Sequence, residues 1–160
     1  MVLCDDRNIA DAMVLEASKK KGHYWIPPFN HKQVIAGQGT VVHEALSQTD
    51  NIDAVFAACG GGGLLSGSVV ATQALSPKTK VIGVEPLNAN DAAQSLRMNA
   101  IQRLSTTPDT IADGAMTMAV GDITFEHLKL LDEMYEVEES KILYWTQSVS
   151  YTHLTLPTIA

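Results

Sequence analysis

Cysteine is nearly absent: Cys4 and Cys59 are the only two in 160 residues. Two are too few for a disulfide framework, and their separation has no metal-ligand spacing. A reducing cytoplasm is therefore the expected setting, and Cys59 reads as a small buried apolar residue, not a nucleophile. Positive charge is scarce as well. Eleven Lys and Arg against 18 Asp and Glu leave a formal charge of −7, which argues against nucleic acid and anionic membranes as partners. No apolar run approaches the ~20 residues of a membrane span, and the start carries no signal-peptide pattern. The histidines, His23, His31, His43, His127 and His153, form no ligand pair. With 46% hydrophobic and 18% charged residues, the composition is that of a globular domain with a core.

Against this background one stretch stands out, Cys59-Gly60-Gly61-Gly62-Gly63-Leu64-Leu65-Ser66-Gly67. The apolar residues Ala54, Val55, Phe56, Ala57 and Ala58 precede it and suit a buried strand. Residues 64–75 follow and read as a helix. Four glycines thus lie between a strand's carboxyl end and a helix's amino end, the place where open α/β sheets bind ligands. The first turn of a helix has unpartnered N–H groups and a partial positive charge, and glycines let an anion approach them. The stretch is an anion cradle, most simply for a phosphate. A nucleotide P-loop would need Lys after Gly67, where Ser68 stands. The dinucleotide fingerprint fails at Leu65 or Ser66, and the G-x-S-x-G elbow fails at Leu64 and Ser68. A phosphomonoester held by neutral backbone donors fits what remains. The structural alternative is a turn that only permits close strand–helix packing.

In chain order, residues 1–4 read as the end of a strand. Asp6 or Asn8 caps a helix to about Lys21 whose inner face is Ile9, Met13 and Ala17. Lys19, Lys20 and Lys21 complement its dipole, and Gly22 ends it. Residues 23–26 read as a strand halted by Pro27 and Pro28. Residues 29–37 read as a connector, and Gly39-Thr40 opens a helix with Thr40 as N-cap. Residues 80–84 form the next buried strand, so strand, helix and strand make a βαβ unit with parallel strands and a right-handed crossover. Asn88 or Asn90 caps a helix to about Met98. The polar stretch 99–121 is long for a loop and therefore reads as ligand-facing. Residues 125–133 read as helix, 134–137 as a short strand, and Glu138 starts a last helix. The expected fold class is α/β, a parallel twisted sheet with flanking helices.

The glycine loop resembles the cofactor-phosphate site of fold-type II pyridoxal-phosphate enzymes, in the serine racemase and serine/threonine dehydratase family. Three further segments share the resemblance: Val34-Ile35-Ala36-Gly37-Gln38-Gly39-Thr40, Val81-Ile82-Gly83-Val84-Glu85-Pro86 and Thr110-Ile111-Ala112-Asp113-Gly114. It covers roughly the first 147 residues. It implies pyridoxal 5′-phosphate as cofactor, with Gly60, Gly61, Gly62, Gly63 and Leu64 at its phosphate and Gly114 against its ring. An Asp-Gly turn is the plain alternative at 113–114. It also implies a divalent cation, Mg²⁺ or else Ca²⁺ or Mn²⁺, held by Glu85, Asp91 and the carbonyl of Ala89. The alternative there is that residues 88–91 only cap a helix.

The family's Schiff-base lysine matches no lysine here, so no catalytic residue is assigned. The implied activity is that of a hydroxy-amino-acid ammonia-lyase acting on L-serine or L-threonine, with serine racemase or 3-hydroxyaspartate ammonia-lyase as alternatives. A non-catalytic phosphate-binding module is the rival from another class. The chain is expected to be a fragment of a cytoplasmic homo-oligomer with a small-molecule amino-acid substrate and no nucleic-acid or membrane partner. Residues 1–22 are read as the end of a small domain and 23–147 as part of the large cofactor-binding domain. Residues 148–160 resemble a translated sequencing adapter and are read as a non-native tail.

Overall fold

The structure, a computed structural model, describes residues 7–20, 22–49 and 51–153. Its centre is a three-stranded parallel sheet in the order β1-β2-β3, made of β1 (Ala54–Ala58), β2 (Lys80–Pro86) and β3 (Glu133–Val137). Val55 pairs with Val81, and Val84 pairs with Tyr135. Parallel neighbours need a crossover, and helix α4 (Gly63–Leu75) supplies it between β1 and β2. Leu65, Val69 and Thr72 of α4 are buried. Leu65 comes so near the sheet that a Cβ on Gly83 would lie 2.8 Å from its Cδ2 and 2.4 Å from Met134 Sδ. A side chain there would push both neighbours out of place.

The core joins Leu65 and Val69 to Ala57, Cys59, Val81, Ala92, Val120, Phe125 and Leu128. The last two come from α6 (Asp122–Leu128). Asp132 fixes the entry of β3: its carboxylate accepts from Val81 N–H at 2.7 Å, and its own N–H donates to Val81 O at 3.1 Å. On the outer side of α4 lie α2 (Lys32–Gln38) and α3 (Thr40–Gln48). Gly67 meets them so closely that its Cβ would sit 2.4 Å from Gly39 N.

The α/β class and the parallel βαβ unit agree with expectation; several local readings do not. Residues 23–26 form no strand and pair with no described strand, since a strand exists only where a neighbour shares its ladder of hydrogen bonds. The connector 29–37 contains α2, which starts when His31 Nδ1 accepts from Gln33 N–H at 3.3 Å. Thr40 is the first residue of α3 and not its cap; its hydroxyl donates back to Gly37 O at 2.7 Å.

Helix α1 spans Arg7–Ser18, and Ile9 and Met13 on its expected inner face are exposed, with Ala17 half-buried. Helix α6 begins and ends earlier than 125–133. The last helix, α7 (Glu139–His153), runs into the stretch read as an adapter-derived tail. The strand expected at 1–4, Cys4, Asp6 and Lys21 lie outside the described residues. Among the described residues no helix is long and apolar enough to cross a membrane.

Candidate active site

β1 keeps its ladder one residue past Ala58, because Cys59 N–H donates to Val84 O at 2.8 Å. The chain then leaves the sheet. Gly62 takes φ +88°, a left-handed conformation that favours glycine, and α4 begins at the next residue. The first α4 bond runs from Ser66 N–H to Gly62 O at 2.9 Å. The N–H groups of Gly60, Gly61, Gly62, Gly63 and Leu64 donate to no other described residue. They sit at the positive end of a 13-residue helix.

All six residues expected at the cofactor, Gly60 to Leu64 and Gly114, line one cleft of about 490 Å³. Gly60 and Gly114 meet backbone to backbone: a Cβ on Gly60 would lie 2.8 Å from Gly114 O, whereas one on Gly114 would meet nothing within 4 Å. Phe29 forms a wall, and a Cβ on Gly61 would lie 2.3 Å from its ring. No Lys, Arg or His lines the cleft, so an anion there has only backbone donors and the helix field to hold it. Thr117, whose hydroxyl is buried without a partner, also lines it.

Three contributors were not visible in the sequence. Phe29 and Asn30 arrive from the segment read as a plain connector. Asn30 Oδ1 accepts from Ile123 N–H at 3.0 Å and its Nδ2 donates to Asp122 Oδ1 at 2.6 Å, so it caps α6. Thr124, fully buried in α6, donates to Gly61 O at 2.8 Å and accepts from Gly121 N–H at 2.9 Å. No local pattern marks partners 63 to 93 positions apart.

The second expected site lies where β2 ends. Glu85 and Asp91 are both almost fully buried, as is Ala89. Asn90 holds the N-cap position of the following helix, α5 (Asp91–Met98), and its C=O accepts from Gln94 N–H at 3.0 Å, but its side chain makes no capping bond. Glu85 supplies the side-chain acceptors from the strand: Oε1 accepts from Ala93 N–H at 2.7 Å and Oε2 from Ala92 N–H at 3.3 Å. Asn90 instead donates to Glu136 at 2.5 Å, which also holds Arg97 through a bidentate pair at 2.6 and 3.2 Å.

Burial pushes the Glu85 carboxyl up to about 8; the charge of Asp91 adds to this and the Ala93 N–H opposes it. Burial likewise raises Asp91 to about 7. Oδ2 of Asp91 has no partner. Among the described residues no three His, Cys, Asp or Glu side chains cluster as a metal site; the expected set uses two carboxylates and a carbonyl.

Comparison with known proteins bears on the fold and the loop together. The family model for pyridoxal-phosphate dependent enzymes matches residues 1–156. The chain is 41% identical over 140 residues to the serine racemase of Schizosaccharomyces pombe, covering 87% of this chain and 42% of that protein. It is 43% identical over 129 residues to the L-threo-3-hydroxyaspartate ammonia-lyase of Saccharomyces cerevisiae, covering 80% and 39%. Among solved structures, the threonine deaminase of Solanum lycopersicum, isoform 2 in its processed form, superimposes with a TM-score of 0.81 at 40% identity, covering 86% of this chain and 40% of that one. Maize serine racemase gives 0.85 at 32%, covering 91% and 45%. The chain therefore spans about two fifths of the length of the curated relatives it matches. With this parallel sheet, this glycine loop and a match across nearly its whole length, the chain belongs to the pyridoxal-phosphate dependent enzymes of fold-type II.

Proposed function

We propose that the chain is the phosphate-holding part of a hydroxy-amino-acid ammonia-lyase acting on L-serine or L-threonine. One observation carries the reading: five consecutive residues whose N–H groups donate to no other described residue line a cleft that has no cationic side chain. A phosphomonoester fits such a cradle, since charge-assisted bonds to backbone donors and a helix terminus hold it without a counter-ion. Gly60 to Leu64 would hold the phosphate of pyridoxal 5′-phosphate, and Gly114 would lie against its ring. When bound, that cofactor supplies the electron sink that lets a hydroxy amino acid lose its α-proton and β-hydroxyl, ending in a 2-oxo acid and ammonia. The chain's own residues contribute position: Gly62 turns the loop, Phe29 walls it, and α4 aims its dipole at the anion.

The covalent lysine and the substrate-carboxylate contacts are assigned to the parent protein outside these 160 residues. On this reading residues 1–22 end a small domain, 23–147 belong to the large one, and 148–160 are non-native; the parent is a cytoplasmic homo-oligomer. The fragment alone would not turn over amino acids. Glu85, Asp91 and the Ala89 carbonyl would hold Mg²⁺, Ca²⁺ or Mn²⁺, with waters completing the shell. The unpartnered Asp91 Oδ2 and the protons that burial forces onto both carboxyls support this, because a cation would replace them.

Racemisation of serine is the second reading, favoured by the comparable identity to serine racemases. The test is recovery of the full-length gene and assay of the protein with L-serine, L-threonine and L-threo-3-hydroxyaspartate. Pyruvate and 2-oxobutyrate release is expected. D-serine without 2-oxo acid would assign the racemase. Binding of phosphate esters with no turnover would leave a non-catalytic module.

A further inference from the structure

We propose that Thr124 is a positioning residue for the anion cradle, setting which way the Gly61–Gly62 peptide faces. The inference rests on the phosphate reading of the loop and goes on to say what keeps the loop competent. A trans peptide points its C=O and its N–H in opposite directions. Thr124 Oγ1 donates to Gly61 O at 2.8 Å from the α6 side. Holding that carbonyl toward α6 turns Gly62 N–H the other way, and Gly62 itself lines the cleft.

The hold is built and buried. Thr124 is fully buried, and its hydroxyl accepts from Gly121 N–H at 2.9 Å, which leaves its proton for Gly61 O. A second carbonyl, Gly121 O, lies at 3.1 Å, a longer and poorer target. The tie is returned across the same interface, where Ser66 Oγ donates to Thr124 O at 3.3 Å. Thr124 Cβ lies 3.0 Å from where a Gly62 Cβ would be, so α6 and the loop touch without a gap. Asn30 caps α6, the helix that carries Thr124, and its chain neighbour Phe29 lies against Gly61.

The need for such a clamp follows from the glycines. A peptide between two glycines rotates with little steric restraint. Rotated, it would present the Gly61 carbonyl to the cleft, replacing a donor with a partial negative charge. That would disfavour an anion while leaving the rest of the cleft unchanged.

The test uses the full-length protein and compares Thr124→Val, Thr124→Cys and Thr124→Ser. Valine fills the volume without a donor, cysteine donates weakly, and serine keeps the hydroxyl. Dissociation constants are measured for pyridoxal 5′-phosphate, for pyridoxal and for inorganic phosphate, with the ³¹P resonance of the bound species as a second readout. Losing one charge-assisted donor corresponds to roughly 10- to 100-fold. Thr124→Val should weaken pyridoxal 5′-phosphate and inorganic phosphate by that factor, move the ³¹P resonance and leave pyridoxal within about twofold. Thr124→Ser should restore both readouts and Thr124→Cys fall between.

If valine does not fold, the cysteine–serine pair decides. Phosphate-ester affinity retained in valine or cysteine, or equal losses for pyridoxal and its phosphate, would overturn the proposal. If the unsubstituted protein binds inorganic phosphate but neither pyridoxal form, the cofactor reading fails, and the same comparison on inorganic phosphate still judges Thr124.

Discussion

Replacing Glu85 by Gln should remove a pH dependence of stability that the buried carboxyl imposes. Folding raises this carboxyl from an ordinary 4.5 to about 8. The folded state therefore holds a proton that the unfolded state releases. Its stability is complete below the unfolded value and is lost as pH rises through the folded one. At pH 7 the unfolded carboxyl is favoured by the 2.5 pH units between 4.5 and 7, on the order of 3 kcal/mol at about 1.36 kcal/mol per unit. A typical domain has only about 5–15 kcal/mol in total.

Chemical melts of the full-length, chelator-treated protein from pH 5 to 8 should show stability falling with pH. Millimolar Mg²⁺ or Ca²⁺ should flatten the slope by taking the place of the proton. Glu85→Gln keeps an acceptor for Ala93 N–H and carries no titrating proton, so its slope should shrink and its cation response vanish. Asp91, raised to about 7, should leave a smaller residual slope. An unchanged slope in Glu85→Gln would refute the buried-carboxyl argument. A wild-type slope indifferent to cations would refute the metal reading alone.

Gly61→Ala forces a Cβ to 2.3 Å from the Phe29 ring and should cost ~1–3 kcal/mol in a urea melt, while Gly114→Ala, with nothing within 4 Å, should change stability by less than about 0.5 kcal/mol. Equal costs at the two positions would contradict the packing described. Asn30→Ala removes the acceptor for Ile123 N–H and should destabilise by ~0.5–2 kcal/mol; Asn30→Asp should not recover it, because it sets a second carboxylate against Asp122. Phe56, 65% exposed on the open sheet face, should tolerate Lys in the 160-residue chain. In the full-length protein, where a parallel sheet has both faces covered, Phe56→Lys should cost at least about 2 kcal/mol; an equal null effect in both would show that nothing covers this face.

The elements legible in the sequence are those whose reason is local. β1, α4 and β2 each combine a suitable apolar run with a boundary residue, whereas the register, Val55 with Val81, is set only in the fold. Residues 23–26 look like a strand in the same local terms, yet no described neighbour completes them. The inner face assigned to α1 failed for a related reason. Periodicity names the residues that want cover, but Ile9 and Met13 are exposed in the fold.

The candidate site divides along the same line. A run of glycines at a strand–helix junction announces unpartnered N–H groups, because the cause and the effect lie in the same few residues. What aims those groups cannot be announced that way. The Gly61 carbonyl is held by a hydroxyl 63 residues on, and the helix bearing that hydroxyl is capped by an asparagine 93 residues before the amide it receives. Thr and Asn are ordinary residues in ordinary contexts until the fold brings them together. The same holds for Glu85: its carboxylate ends a strand in sequence, but its partners are the amides of Ala92 and Ala93, seven and eight residues later, in a helix whose N-cap residue, Asn90, makes no side-chain capping bond. A strand-end carboxylate therefore takes on the capping of α5. Its desolvation then favours the protonated form, which makes the tie between sheet edge and helix sensitive to pH.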